Sequence, residues 1–128
     1  MNIEWVRRYC MGLPHTTEQI QWGHDLVFKI GGKMYAAGPV DGPYDVCLSF
    51  KADPEEFAEL CEREGIIPAP YLARAQWVAL QSWDALTVTE LTRLLKNSYD
   101  MVLAKLPKKK QAELNAPARG TKKKRAAT

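Results

Sequence analysis

The sequence has no long apolar run and few of the residues that build metal or redox sites. Only three cysteines, Cys10, Cys47 and Cys61, and two histidines occur in 128 residues. The odd cysteine count and the lack of a C-x-x-C pair argue against a disulfide framework or a zinc site, and favour a reducing compartment. The first ten residues, MNIEWVRRYC, lack the apolar segment of a secretion signal, and no stretch approaches about 18 apolar residues. We therefore expect a cytoplasmic protein that is not exported and does not span a membrane.

The charges are divided unevenly along the chain. Residues 1–104 contain nine Lys or Arg against fourteen Asp or Glu, whereas residues 105–128 contain nine Lys or Arg against Glu113 alone. This asymmetry predicts a polyanion or an acidic surface as the partner of the basic end. The final residues carry no large apolar side chain and cannot offset their ordering entropy. We therefore expect residues 1–110 to fold as one domain and residues 111–128 to form a disordered basic tail.

Apolar periodicity predicts a helix, three or four strands, a helix, a strand and a helix, in that order. In DLVFKIGGKMYA, two strands flank Gly31-Gly32, a pair typical of a tight hairpin turn. In YDVCLSF, we expect Tyr44 and Val46 to face the same side as Leu48 and Phe50, with Cys47 opposite. DPEE and TVTE have the spacing of capping boxes that open helices. The predicted fold class is α+β, an antiparallel sheet with helices packed largely on one face.

Four stretches resemble the MmcQ/YjbR family in order and spacing. They are WGHDLVFKIGGKMYA, LSFKADPEEFAEL, IIPAPYLARAQWVAL and LTRLLKNSYDMVLAKLPKK, which together cover about residues 1–110. The resemblance implies a compact fold similar to that of CyaY, the bacterial frataxin, and a role in binding DNA through hairpins arranged as a double wing. It supplies no catalytic residues. The acidic ridge of iron-handling frataxins is not matched, because the first helix offers only Glu4 beside Arg7 and Arg8, and we expect no metal site.

Lysines beside the Gly-Gly turn and at the carboxyl end form the candidate nucleic-acid site. A hairpin with lysines near its tip can contact phosphate oxygens as a wing does. A structural role is the alternative, since edge lysines discourage strand pairing and cations stabilise helix carboxyl ends. The KKKR block lies in the tail, where no predicted helix end would be stabilised by its charge. It therefore predicts weak, largely sequence-independent DNA binding. The predicted contacts are Lys29, Lys33, Lys51, Lys105, Lys108, Lys109, Lys110, Lys122, Lys123, Lys124 and Arg125.

An alternative is a protein- or small-ligand-binding module that uses an aromatic sheet face and has no nucleic-acid role. Its candidate residues are Trp22 and Trp83, which both stand in polar surroundings. We predict neither catalysis nor a cofactor. Cys10 and Cys61 fall on apolar helix stripes, and the adjacent His24-Asp25 pair should point to opposite faces of a strand.

Overall fold

The computed structural model describes residues 1–41 and 44–115. Four helices and six strands make up this part of the chain, with short 3₁₀ turns at Ala73–Ala75 and Trp83–Ala85. In chain order they are α1 (Ile3–Met11), β1 (Thr16–Gln21), β2 (Asp25–Ile30), β3 (Lys33–Pro39), β4 (Leu48–Lys51), α2 (Pro54–Cys61), β5 (Ile66–Pro68), β6 (Trp77–Leu80), α3 (Val88–Ala104) and α4 (Lys108–Asn115).

The strands form one antiparallel sheet in the order β1-β2-β3-β4-β6-β5. The predicted hairpin between β2 and β3 is confirmed, since Gly31 and Gly32 have φ values of 60° and 83°. A side chain at either position would strain the backbone, which explains the pair of glycines. Strands β1 and β5 lie at the two edges. The three-residue β5 was not predicted, because IIP is too short to show a period of two.

The helices pack on one face of the sheet, as predicted. Phe28, Phe50 and Leu80 project from the strands into the same buried cluster as Val6 of α1 and Leu95 of α3. Packing this apolar surface away from water is the main stabilising contribution to the fold. The opposite face has no helix over it within the described residues. A smaller cluster there contains Trp77 and Ala79.

Ser98 is the buried polar side chain of the helix-covered core. Its hydroxyl donates to the Tyr35 carbonyl oxygen at 2.6 Å and accepts from the Lys51 backbone N–H at 3.1 Å. One side chain of α3 thus bonds to β3 and β4, and holds the helix at a defined place on the sheet.

The helix starts follow from their capping residues. The TVTE box is complete, with Thr87 and Glu90 each accepting a bond from the other's backbone N–H. In DPEE, the Asp53 carboxylate caps the N–H of Glu56 at 2.9 Å. The Glu56 carboxylate does not complete a box and instead accepts a bidentate hydrogen bond from Arg93 on α3. The Glu56 side chain thus bonds to a residue distant in sequence, Arg93, and not to the backbone at the start of its own helix.

The alternation predicted for YDVCLSF is wrong over its first half. Leu48 and Phe50 face the helices, but Val46 packs on the cluster of the opposite face and Cys47 packs against the helix-side core. Strand pairing begins only at Leu48, and the preceding residues follow an irregular path. Without strand pairing, the period of two does not apply to them.

The carboxyl end contains a helix that was not predicted. After α3 and Pro107, helix α4 includes residues 111–115, which we had assigned to the tail. Gln111 secures the junction, since its side-chain amide donates to the Leu106 carbonyl oxygen at 2.7 Å. Residues 116–128, with the cations Lys122, Lys123, Lys124 and Arg125, lie outside the described residues.

Candidate functional site

Three of the predicted DNA-contacting lysines meet at one end of the sheet. Lys33 begins β3, Lys51 ends β4, and Lys105 follows the last residue of α3. Together they line a groove of about 270 Å³, which we call the basic groove. Its remaining lining residues are Met34, Trp77, Val102 and Leu106. The groove therefore presents ammonium groups over an apolar floor.

Packing at the Gly31 turn brings the groove together. A Cβ atom on Gly31 would lie 2.5 Å from Cδ1 of Leu106, so a side chain here would force Leu106 to shift away from the hairpin. Leu106 is itself buried. This contact places the end of α3, and Lys105 with it, beside the β2–β3 turn, although the two segments are far apart in sequence.

The basic groove has three lysines and no acidic residue in its lining. Burial, together with the charge of Lys105, lowers the pKa of Lys51 below its ordinary value. The Lys51 ammonium donates one hydrogen bond, to the Ala75 carbonyl oxygen at 2.7 Å. A carbonyl dipole offsets only part of a full charge, so an anion would stabilise this arrangement.

Several cations on the helix side of the molecule are paired instead. Arg7 binds Glu18 at 2.8 Å, and Arg93 binds Glu56 at 2.9 Å. The bond from Arg63 lowers the pKa of Glu90 to about 2. These pairs neutralise one another locally. The contrast sets the basic groove apart from the ordinary charged surface.

The other predicted lysines extend the basic end to different degrees. Lys29 lies on β2, where its ammonium donates to the Gln19 side chain at 3.0 Å. Lys108, Lys109 and Lys110 open α4, two residues beyond Leu106. Lys110 also approaches the Glu113 carboxylate at 3.9 Å.

Sequence reasoning missed one cation near this end. Arg74 is exposed in the 3₁₀ turn next to Ala75, whose carbonyl oxygen accepts the bond from Lys51. An isolated Arg in LARAQ gives no sequence signal of its position, because only the fold of the loop brings it beside β4.

A larger cavity, of about 550 Å³, lies on the sheet face opposite the helices. We call it the aromatic cavity. Met34, Ala37 and Ser49 contribute to it from β3 and β4. The loop before β4 and the loop after β5 contribute Tyr44 and Tyr71. It adjoins the basic groove, since Met34 lines both.

The two tryptophans predicted for ligand binding lie in different environments. Trp22 lies in the β1–β2 turn, is 62% exposed and lines the aromatic cavity. Trp83 is half-buried against the helix-side core and is not among the residues lining the cavity. Tyr44 and Tyr71 are the exposed aromatic residues that accompany Trp22. The Pro-rich loop sequence PAPY was a usable signal for Tyr71, since a large aromatic residue in such a loop has little core to enter.

The thiols are held in their protonated form. Burial raises the pKa of Cys10 to about 12 and that of Cys47 to about 11. A thiolate nucleophile is therefore disfavoured at both positions. Across residues 1–41 and 44–115, no three His, Cys, Asp or Glu side chains group as metal ligands. Within the same ranges, no helix has the length and apolarity needed to cross a bilayer.

Comparison with known proteins assigns this α+β domain to a family. The family model described as YjbR matches residues 11–101, and the chain belongs to the YjbR family. The Deinococcus radiodurans protein DR2400, which has a DUF419 domain and a known crystal structure, shares 31% sequence identity with this chain. The match covers 91% of this chain and 89% of that one, with a TM-score of 0.79.

A Pseudomonas syringae protein of known structure shares the fold. It is 21% identical, and the match covers 80% of this chain and 99% of that one with a TM-score of 0.65. A search among functionally curated proteins gives no match.

Proposed function

We propose that this protein is a cytoplasmic, non-enzymatic DNA-binding protein that contacts phosphates through lysines of its hairpin and carboxyl-terminal region. The observation that carries the proposal is the meeting of Lys33, Lys51 and Lys105 around a groove with no acidic lining residue. Burial and the charge of Lys105 disfavour the charged form of Lys51. A bound phosphate removes that penalty, which gives the groove a preference for anions.

The binding is expected to be weak and largely independent of DNA sequence. An ammonium group is a point charge that pairs with phosphate, whereas base recognition needs donors and acceptors directed at base edges. Lysine contacts of this kind give a Kd of roughly 10⁻⁴ to 10⁻⁶ M at physiological salt. The tail cations Lys122, Lys123, Lys124 and Arg125 would add affinity of the same electrostatic type.

The basic groove and the lysines of α4 form one end of the molecule, so a DNA backbone can contact both. The end of α3 is held against the hairpin by Leu106, and α4 starts two residues later. The carboxylates paired with Arg63 and Arg93 are those of Glu90 on α3 and Glu56 on α2. Acidic groups that are already neutralised repel an approaching phosphate less than free ones do.

Fluorescence anisotropy with labelled duplexes of about 20 bp tests the proposal directly. Two unrelated DNA sequences should bind with similar Kd, and affinity should fall steeply as salt rises. A peptide nucleic acid duplex of the same sequence is the matched control, because it keeps the bases but has an uncharged backbone. Equal affinity for DNA and for this control at low salt would overturn the proposal.

A full-length variant with glutamine at positions 122–125 separates the tail from the folded domain. If the basic groove contributes, this variant keeps a salt-dependent preference for DNA over the uncharged duplex. Loss of the whole preference would assign binding to the tail alone and remove the groove from the proposal.

A further inference from the structure

The aromatic cavity carries backbone strain at two of its exposed aromatic residues. Trp22 has φ 55° and Tyr71 has φ 66°, both in the left-handed region, and Tyr71 is fully exposed. A bulky residue in this region is strained. Trp22 is followed by Gly23, which also has a positive φ, of 82°. Strained, solvent-facing rings on two sides of one cavity are a feature of a binding site rather than of a core.

A stacked aromatic pair forms another wall of the aromatic cavity, beside the Asp25 carboxylate. The rings of His24 and Tyr44 are stacked, with centroids 4.7 Å apart and an interplanar angle of 15°. His24 Nε2 lies 3.4 Å from Asp25 Oδ1, so the adjacent pair expected on opposite faces comes together here. The positive φ values of Trp22 and Gly23 turn the chain just before β2, where regular strand alternation has not yet begun.

The charge of the cavity is of one sign. Asp25 is the carboxylate among its lining residues, and neither Lys nor Arg is among them. Gln21, which pairs with Asp25 across β1 and β2 but is not among the lining residues, has a buried Oε1 with no partner among the described residues. The Asp25 carboxylate therefore adds a negative charge to this corner, which also contains hydrogen-bonding groups of His24, Ser49 and Tyr44. An occupant that carries N–H donors or a positive charge would complement it.

The basic groove does not cancel this preference. Lys33 of the basic groove pairs with Ile30, which lies five residues from Asp25 on β2. At the rise of a β-strand this separation is roughly 17 Å. It exceeds the screening length of about 8 Å at physiological salt. The carboxylate therefore dominates its own end of the cavity.

We propose that the aromatic cavity binds a small organic cation with a flat apolar body. Its ammonium group would lie between the Asp25 carboxylate and the faces of Trp22 and Tyr44, and its body against Met34 and Leu72. Aromatic faces attract cations, and indole does so most strongly. A volume of about 550 Å³ lies in the usual range for small-molecule sites. The site is independent of DNA binding, and either proposal can fail without the other.

Three probes of nearly equal shape test the charge preference without any mutation. They are 1-naphthylmethylamine, a cation; 1-naphthalenemethanol, which is neutral; and 1-naphthoate, an anion. Amide chemical shifts of the ¹⁵N-labelled full-length protein report both Kd and location. We expect the cation to bind about tenfold more tightly than the neutral probe, with shifts at residues 22–25 and 71–72. Equal affinities, tighter binding of the anion or shifts confined elsewhere would overturn the proposal.

Substitutions then assign the preference to particular groups. Asp25→Asn should bring the cation and the neutral probe to nearly equal affinity, while leaving the Kd of the neutral probe unchanged. Asp100→Asn is the matched control, since it removes a carboxylate from α3 on the other side of the sheet. A cation preference that survives Asp25→Asn would overturn the role of the carboxylate.

Trp22→Ala should weaken both the cation and the neutral probe several-fold. Ile20→Ala is its control, because Ile20 is also an exposed apolar residue near the β1–β2 turn but pairs with Leu26, which faces the helices. Equal losses in the two variants would show a general effect on the sheet edge and contradict the proposed site. Binding of a peptide in this cavity in place of the probes, with an affinity that does not depend on salt, would likewise reject a small-molecule site.

Discussion

Removing two lysines from the basic groove should change the salt dependence of DNA binding by a calculable amount. Lys33 and Lys105 line the groove and are both exposed, so Lys33→Gln with Lys105→Gln leaves the core intact. Each phosphate contact contributes about 0.9 to the slope of log K against log salt. Losing two contacts lowers the slope by about 1.8. Between about 50 and 200 mM salt, wild-type affinity should therefore fall about 12-fold more than that of the double variant.

The control is a double variant with the same change in net charge. Arg8→Gln with Lys96→Gln also removes two exposed cations, but from α1 and from the middle of α3. Anisotropy titrations at several salt concentrations, with all proteins full-length, give the three slopes. If the control lowers the slope as much as the groove variant does, net charge alone governs binding and the reasoning from the groove is refuted.

The same variants offer a readout that needs no DNA. The charge of Lys105 is one of two causes that lower the pKa of Lys51, the larger being burial. In Lys105→Gln the pKa of Lys51 should rise, while remaining below its ordinary value. NMR titration of the labelled lysine side chains measures this. An unchanged pKa would mean that Lys51 and Lys105 are not electrostatically coupled in solution.

Three further predictions concern stability. Gly31→Ala should lower the free energy of unfolding, measured in urea, by at least about 1 kcal/mol more than Gly32→Ala does. Both variants replace a glycine of positive φ, but only a Cβ at position 31 would meet a side chain, that of Leu106. Equal losses would contradict the close packing. Ser98→Ala should cost about 1–3 kcal/mol, since it leaves the buried Tyr35 carbonyl and the partly buried Lys51 N–H without this partner. A neutral result would show that water replaces the hydroxyl. The pKa of Glu90 is depressed from 4.5 to about 2, mainly by its bond from Arg63, so its contribution is present above pH 4.5 and is lost as pH falls toward 2. Glu90→Gln should be less stable than wild type by at most about 1 kcal/mol at pH 7, with the difference vanishing near pH 2; a difference independent of pH would exclude the ion pair as its cause.

Local features of the sequence were sufficient for the α+β fold. Gly31-Gly32 predicts its turn because two consecutive left-handed residues are tolerated by few other pairs. The TVTE box starts α3 through bonds made within four residues of one another. Where a distant partner competed, or an expected strand partner was missing, the local prediction was only partly right. Glu56 binds Arg93 instead of closing a second box, and Val46 leaves the expected face because no neighbouring strand pairs with it.

The candidate sites depended on contacts between distant parts of the chain. The lysines were recognisable as a basic set from sequence, but only the packing of Leu106 on Gly31 shows that Lys33, Lys51 and Lys105 share one groove. The aromatic cavity is formed by a turn, two loops and the open sheet face. The sequence by itself determined most elements of this protein, though not β5 or α4, because turns and caps are made by neighbouring residues. The tertiary structure decided which side chains meet, because that depends on how those elements pack.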